Sequence, residues 1–277
     1  MAVNSINYAP TLSSDTTRNF SQAIWGDCPL ASIRDGSIPA MLVEDDFENF
    51  PEHISDQDTQ KYPSYIDTGV TIKALAGVDY GQIEIAGNDA DNDEGVLSGY
   101  NPIFNIQDAR ASKKLWAEFR WSKASVADNA LASFIGLAWD FGSGVPVSKT
   151  LCLTDDDGAL GAFSFLGFHV DHADGDSLDF VYKAEGQSAV VAISGVQALA
   201  ASTWYKLGFV YDPDAVAAKR IKIFIDGAEQ TTYVTETNIA AATFPDNEAM
   251  APTWAAKVGA AAEVKSQLDW MRVVQLT

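Results

Sequence analysis

What most constrains this chain is a series of short alternating segments separated by turn-forming dipeptides. Asp157-Gly158, Asp174-Gly175 and Asp226-Gly227 are hairpin-type pairs, and Asp212-Pro213-Asp214 is a further turn. Asp tolerates and Gly favours a positive φ, so such pairs reverse a chain within two residues. Between the turns, apolar residues recur at every second position. Ile221, Ile223 and Ile225 alternate with Arg220, Lys222 and Phe224, and Leu115, Ala117, Phe119 and Trp121 alternate with Trp116, Glu118 and Arg120. Successive side chains of a strand point to opposite faces, so this period builds half-buried strands. Further strands are predicted over 81–86, 133–141, 162–170, 177–183, 189–193, 204–211 and 268–276. Helix signals are few. Residues 213–219 can form one turn, and the Ala-rich stretch 247–262 is interrupted by Pro252 and Gly259. Closely spaced strands with turns between them predict an all-β sandwich or barrel, and not βαβ units.

With 277 residues, 47% of them hydrophobic, the chain can bury a sizeable core without disulfides. Its two cysteines, Cys28 and Cys152, read as free thiols. Asp and Glu number 38 against 18 Lys and Arg, a net charge of −20. Such a surface excludes bulk nucleic-acid binding and disfavours anionic membranes. No apolar run approaches the ~20 residues of a membrane span. The start, MAVNSINYAP, lacks the basic and apolar regions of a secretory leader, so none is expected. Residues 44–94 hold 14 acidic residues and 2 Lys, which is −12 of the total. A stripe of that kind repels itself unless it meets cations or a basic partner, and it also keeps a crowded assembly soluble.

Residues 1–42 read differently from the rest. They are rich in Asn, Ser, Thr and Pro, and short apolar islands interrupt them. The expected division is an extended N-terminal arm over 1–42 and a sandwich over 43–277. Phe20, Ile24, Trp25 and Leu30 are the expected docking anchors of the arm, on its own domain or on a neighbouring subunit. Equally, the segment can supply one or two N-terminal strands of the main domain.

Two stretches carry a family resemblance. Ser202-Thr203-Trp204-Tyr205-Lys206-Leu207-Gly208-Phe209-Val210-Tyr211-Asp212 is a strand that opens on Trp, and Lys219 to Gly227 is a strand that ends in Asp-Gly. Together they resemble the concanavalin A-like lectin/glucanase superfamily, particularly its laminin-G-like members. Leu268 to Leu276 resembles the final strand of such domains, and Glu44-Asp45-Asp46-Phe47-Glu48 the first. The resemblance implies a two-sheet antiparallel jelly-roll sandwich over residues 43–277.

Chemistry-bearing patterns are sparse. The glucanases of this superfamily place two Glu around an Asp on one strand; Glu44-Asp45-Asp46-Phe47-Glu48 has that spacing but is read as the acidic entry segment of the domain, and no E-x-D-x-x-E stretch occurs. The three histidines, His53, His169 and His172, lie near no G-x-S-x-G serine. No catalytic residue is therefore assigned, and an enzyme is not expected. Ca²⁺ is the better-matched cation for the acidic loops. Asp89, Asp91 and Asp93 alternate as at the start of an EF-hand loop, but Glu94 and Tyr100 stand where its Gly and Glu belong. Asp171, Asp174 and Asp176 form a second candidate around Gly175. The resemblance implies a Ca²⁺ at the sandwich rim, and solvated turn aspartates are the alternative. Trp116 and Trp121 fall on opposite faces of one strand, which makes Trp116 the candidate sugar platform.

Stand-alone domains of this superfamily with an N-terminal arm and strong acidity resemble those among tailed-phage structural proteins. That implies a virion protein on the capsid surface, most simply a decoration or cement protein docked by its arm. Its partners would be the major capsid protein or another virion protein, and further copies of itself, with a trimer as the expected form. The alternative is a carbohydrate-binding adhesin or lectin domain of a head fibre or tail.

Overall fold

The computed structural model describes residues 18–48, 50, 62–76, 81–87, 91–99, 101–106, 110–139, 152–155, 157–246, 248–259 and 264–277. Two short helices open it, α1 (Gln22–Trp25) and α2 (Leu30–Arg34). Nine strands follow: β1 (Ala40–Asp45), β2 (Ser64–Ile66), β3 (Thr71–Ala74), β4 (Ile83–Gly87), β5 (Glu94–Ser98), β6 (Leu115–Lys123), β7 (Leu131–Trp139), β8 (Ser164–Val170) and β9 (Ser177–Lys183). After them come β10 (Val190–Ala198), β11 (Tyr205–Tyr211), β12 (Ile221–Ile225), β13 (Ala228–Glu229), α3 (Glu236–Ile239), β14 (Ala251–Val258) and β15 (Val264–Leu276).

The strands form two antiparallel sheets, as the sequence predicts. One runs β13-β12-β11-β6-β15-β4-β3 with β1 added beside β15, and the other runs β10-β9-β8-β7-β14-β5-β2. The two inner faces make the main core. Ile221, Ile223 and Ile225 meet Phe209, Phe119 and Phe180 there. Asp226 and Gly227 have φ of 50° and 80°, so they close the two-residue hairpin between β12 and β13 as expected. Asp174-Gly175 departs from the expectation. Neither residue has a positive φ, and the pair sits in a wider loop before β9. The Ala-rich stretch also differs, because residues 251–258 are the strand β14 at the centre of the second sheet.

The outer faces of both sheets are covered as well. All nine residues of β6, all nine of β7 and all eight of β14 are buried. A two-layer sandwich would leave alternate residues wet. The extra layers come from the chain itself. Residues 18–38, expected to be extended, carry α1 and α2 and lie on the outer face of β6, β11, β12 and β15. Residues 152–163 lie on the outer face of β5, β7, β8, β9 and β14.

Candidate functional site

The layer formed by residues 18–38 covers a face that mixes aromatics with charge. Trp116, Glu118 and Arg120 point outward from β6. From β15, Trp270, Arg272 and Val274 do the same, because Arg120, Glu118 and Trp116 are their cross-strand partners. A bulge at Asp269, between Leu268 and Trp270, switches the parity of β15. Leu268 therefore faces the core while Asp269 and Trp270 serve the covered side.

The cap satisfies most of these polar groups; among the described residues Glu118 Oε1 and the Trp270 indole N–H stay buried without a hydrogen-bond partner. Arg18 and Arg120 both pair with the buried Asp269 carboxylate. The Ser21 N–H and the Trp25 indole N–H donate to Glu118 Oε2 at 3.1 and 2.6 Å. Burial pushes the Glu118 carboxyl up, and those two donors oppose the shift. The Arg272 guanidinium lies 3.3 Å from the Phe20 ring centroid and pairs with Glu44. Phe20 packs on Trp270 in a tilted contact with centroids 4.3 Å apart. Burial raises the Cys28 thiol to about 12, so it stays protonated and unreactive here.

The structure thus locates the sequence candidates on this face. Ile24 and Trp25 are buried against the chain's own sheet, and Phe20 and Leu30 are half-buried beside them. Trp116 is 1% exposed, so its indole presents no platform to a sugar. Its N–H donates to Asp27 Oδ1 at 2.9 Å beneath the cap. The alternation of Trp116, Glu118 and Arg120 was the available sign, since a strand whose second face carries Trp, Glu and Arg suits a covered surface. The Arg18–Asp269–Arg120 contact had no sequence signal, because it joins residues 251 apart.

The second covered face is built around Glu94 and Lys257, which are cross-strand partners on β5 and β14. Both are 0% exposed. Glu94 Oε1 accepts from Leu153 N–H at 2.8 Å, and Lys257 Nζ reaches Asp155 Oδ1 at 2.8 Å. Burial pushes the Glu94 carboxyl up to about 8 against the pull of Lys257. His169 Nε2 meets Gly158 O at 2.9 Å, His172 Nε2 meets Lys257 O at 3.1 Å, and Lys183 Nζ donates to Leu160 O at 3.1 Å. The two histidines thus hold backbone carbonyls through Nε2.

Of the calcium candidates, Asp174 and Asp176 meet through their side chains with Asp171 nearby; burial and these neighbours raise the Asp174 carboxyl. Among the described residues no group of three or more His, Cys, Asp or Glu side chains could hold a metal ion. Asp89 lies outside the described residues. Asp91 is exposed, and Asp93 is raised by burial and by the neighbouring Asp67. Asp171 Oδ1 accepts from Asp174 N–H at 2.9 Å, a turn contact. Asp176 shapes the loop with its backbone, accepting from Leu199 N–H at 2.6 Å. The loop is organised from below by an ammonium. Lys123 Nζ, on a residue 1% exposed, donates to Leu131 O at 2.8 Å and Gly175 O at 2.9 Å. Its pKa falls to about 8 through burial, although Asp171 and Asp176 pull it up. A buried lysine therefore ties the 171–176 loop, through Gly175 O, to β6 and β7.

Glu84 and Glu118 do not form a glycosidase pair, and Glu44 of the 44–48 spacing is held by Arg34 and Arg272, with the strand ending at Asp45. Glu84 is opposite position 267 of β15 and Glu118 is opposite position 272. At ~3.3 Å per residue that separation is roughly 15 Å. Glycosidase carboxyl pairs sit about 5–9.5 Å apart. The described surface contains an open cleft of about 480 Å³, lined by Ser112, Tyr211, Pro213, Asp214, Arg220 and Glu236 among others.

No family model matches the chain, and no curated protein matches it in sequence. Solved structures do match it. A protein of unknown function from Shewanella oneidensis MR-1 superposes with a TM-score of 0.55 at 14% identity, over 90% of this chain and 94% of that one. The endo-1,3-β-glucanase of Streptomyces sioyaensis gives 0.52 at 14% identity, over 86% and 97%. Peanut lectin gives 0.51 at 12%, over 85% and 97%. Identities this low speak for architecture alone: the chain has the concanavalin A-like sandwich fold, with both sheets roofed by its own segments.

Proposed function

We propose that this chain is a non-enzymatic structural protein of a virion, a decoration or cement protein on the capsid surface. The observation that carries this reading is the double roofing. Residues 18–38 cover one sheet and residues 152–163 the other, so the sheet side chains beneath them line no open groove. Substrate sites are concave and keep polar groups within reach of solvent. A sandwich filled on all faces is suited to rigidity, and the net charge of −20 to solubility at high local density. Residues 18–38 are engaged in cis, so attachment to the major capsid protein or another virion protein is assigned to the stretch before them, residues 1–17. The particle would carry the protein as a homo-oligomer.

Quantitative mass spectrometry of purified particles of the source tests this directly. Hundreds of copies per particle are expected, and absence from particles would overturn the reading. Deleting residues 1–17 should abolish attachment while leaving the melting temperature unchanged. Deleting 1–42 is a poorer test, because it also uncovers Trp116, Val210, Phe224 and Val274.

A glycan-binding adhesin is the second reading, favoured by the open cleft. Its lining includes Tyr211, Pro213, Arg220, Asp214 and Glu236. A handful of copies per particle, together with a glycan-array signal lost in Arg220→Ala, would favour it over decoration.

A further inference from the structure

Lys257 stands on the second covered face, on a strand hydrogen-bonded on both sides, to β5 and to β7. It is 0% exposed, and among the described residues its Nζ has no hydrogen-bond partner. An ammonium in that position has given up water without replacing it, which is costly. Nζ does lie 2.8 Å from Asp155 Oδ1, without the alignment of a hydrogen bond. The Asp155 Cγ is one C–O bond of about 1.2 Å from that oxygen, so nitrogen and carboxyl carbon stand within about 4 Å of each other. The reacting atoms of a near-attack pair lie about 3–3.5 Å apart.

Both partners are held in place. Asp155 belongs to a hairpin in which Thr154 N–H donates to Ala159 O at 2.7 Å and Gly161 N–H to Cys152 O at 2.8 Å. Asp157 and Gly158, with φ of 54° and 65°, make its turn, and Leu153 N–H ties it to Glu94. Glu94 is the cross-strand partner of Lys257. Burial raises its carboxyl to about 8, so at pH 7 it is mostly neutral and leaves the ammonium to Asp155.

From this arrangement we propose that Lys257 and Asp155 condense into an intramolecular amide, Nζ to Cγ, which staples the 152–163 roof to β14. The ammonium passes one proton to the Asp155 carboxylate. The amine lone pair then attacks Cγ, the Nζ–Cγ bond forms and the C=O π pair moves onto oxygen. The nitrogen gives a second proton to the hydroxyl, the Cγ–O bond breaks, water leaves and the C=O re-forms. The balance needs no co-reactant. Free amines and carboxylates do not condense in water, but groups fixed in register reach effective concentrations of about 10⁵–10⁸ M. The Asp155 side chain is 61% exposed, so the water departs directly into solvent. The bond does not depend on the virion reading.

Intact-mass spectrometry of the purified full chain tests it. The wild type should be lighter than its sequence by one water. Trypsin acting on the denatured protein should leave the chain uncut after Lys257, because an acylated lysine carries no charge. It should also release one branched peptide holding both Asp155 and Lys257. Lys257→Met and Asp155→Ala should each show the full mass of their own sequence. Asp155→Ala also restores cleavage after Lys257, and it serves alone should the buried Lys257→Met fail to fold. A wild type at full mass, cut after Lys257, overturns the inference and leaves a plain ion pair. So does a loss of water that persists in Asp155→Ala, which would place the condensation elsewhere.

Discussion

Gly208 decides whether the cap can close over the first sheet. A Cβ there would come 2.3 Å from Ile24 Cδ1. Gly208→Val should therefore lift α1, expose Trp25 and cost about 1–3 kcal/mol, the usual range for overpacking. Denaturant unfolding and limited proteolysis within 18–38 would register both effects; unchanged cleavage would show that the cap tolerates the side chain. Lys123 is the second position where one residue governs a region. Lys123→Met leaves the Leu131 and Gly175 carbonyls without their donor and should destabilise by on the order of 3 kcal/mol. Because that ammonium gathers the loop, EDTA should leave the wild-type melting temperature unchanged. A fall on chelation would restore the calcium reading of the acidic loops.

At the scale of elements, the roof over residues 152–163 rests on Glu94, whose carboxyl is raised from 4.5 to about 8. The folded state thus binds a proton that the unfolded state releases. The contribution from Glu94 is fully present below pH ~4.5 and is lost as pH rises through about 8. Glu94→Gln should gain on the wild type over that interval, and the two should differ least near pH 5. Urea titrations at pH 5 and 8.5 would measure the change, and parallel curves would mean that Glu94 is ionised in the fold. The same scale shows what pattern reading detects. β9 (Ser177–Lys183) was legible residue for residue, because its alternation is clean. β14 was not, because alanine has no strand preference and Pro252 reads as a breaker. Its strand state follows from position, between β7 and β5 at the centre of a sheet.

For the whole molecule, electrostatics and layering pull in opposite directions. Self-repulsion at −20 destabilises the compact state, so the melting temperature should rise from about 10 mM to 150 mM salt as the Debye length shrinks from about 30 to 8 Å. A flat or falling curve would place the balance with surface ion pairs such as Lys114–Asp212 and Lys114–Asp27. Four layers also explain why the site was harder to read than the fold. Trp116 follows the predicted alternation and points away from the core, yet whether that direction meets water depends on where residues 18–38 settle.

The sequence by itself determined the all-β class, a sandwich or a barrel, the Asp226-Gly227 hairpin and the strongly acidic surface. These follow from local period, turn chemistry and formal charge, which act within a few residues or need no geometry at all. Tertiary structure alone decided which outward faces are roofed, that Lys123 reaches the 171–176 loop, and that β10 ends its sheet among the described residues. Those outcomes rest on contacts between residues far apart in the chain, such as Arg18 with Asp269 and Glu94 with Leu153. Burial, and with it the protonation of Glu94 and Lys123, is set by how the layers stack.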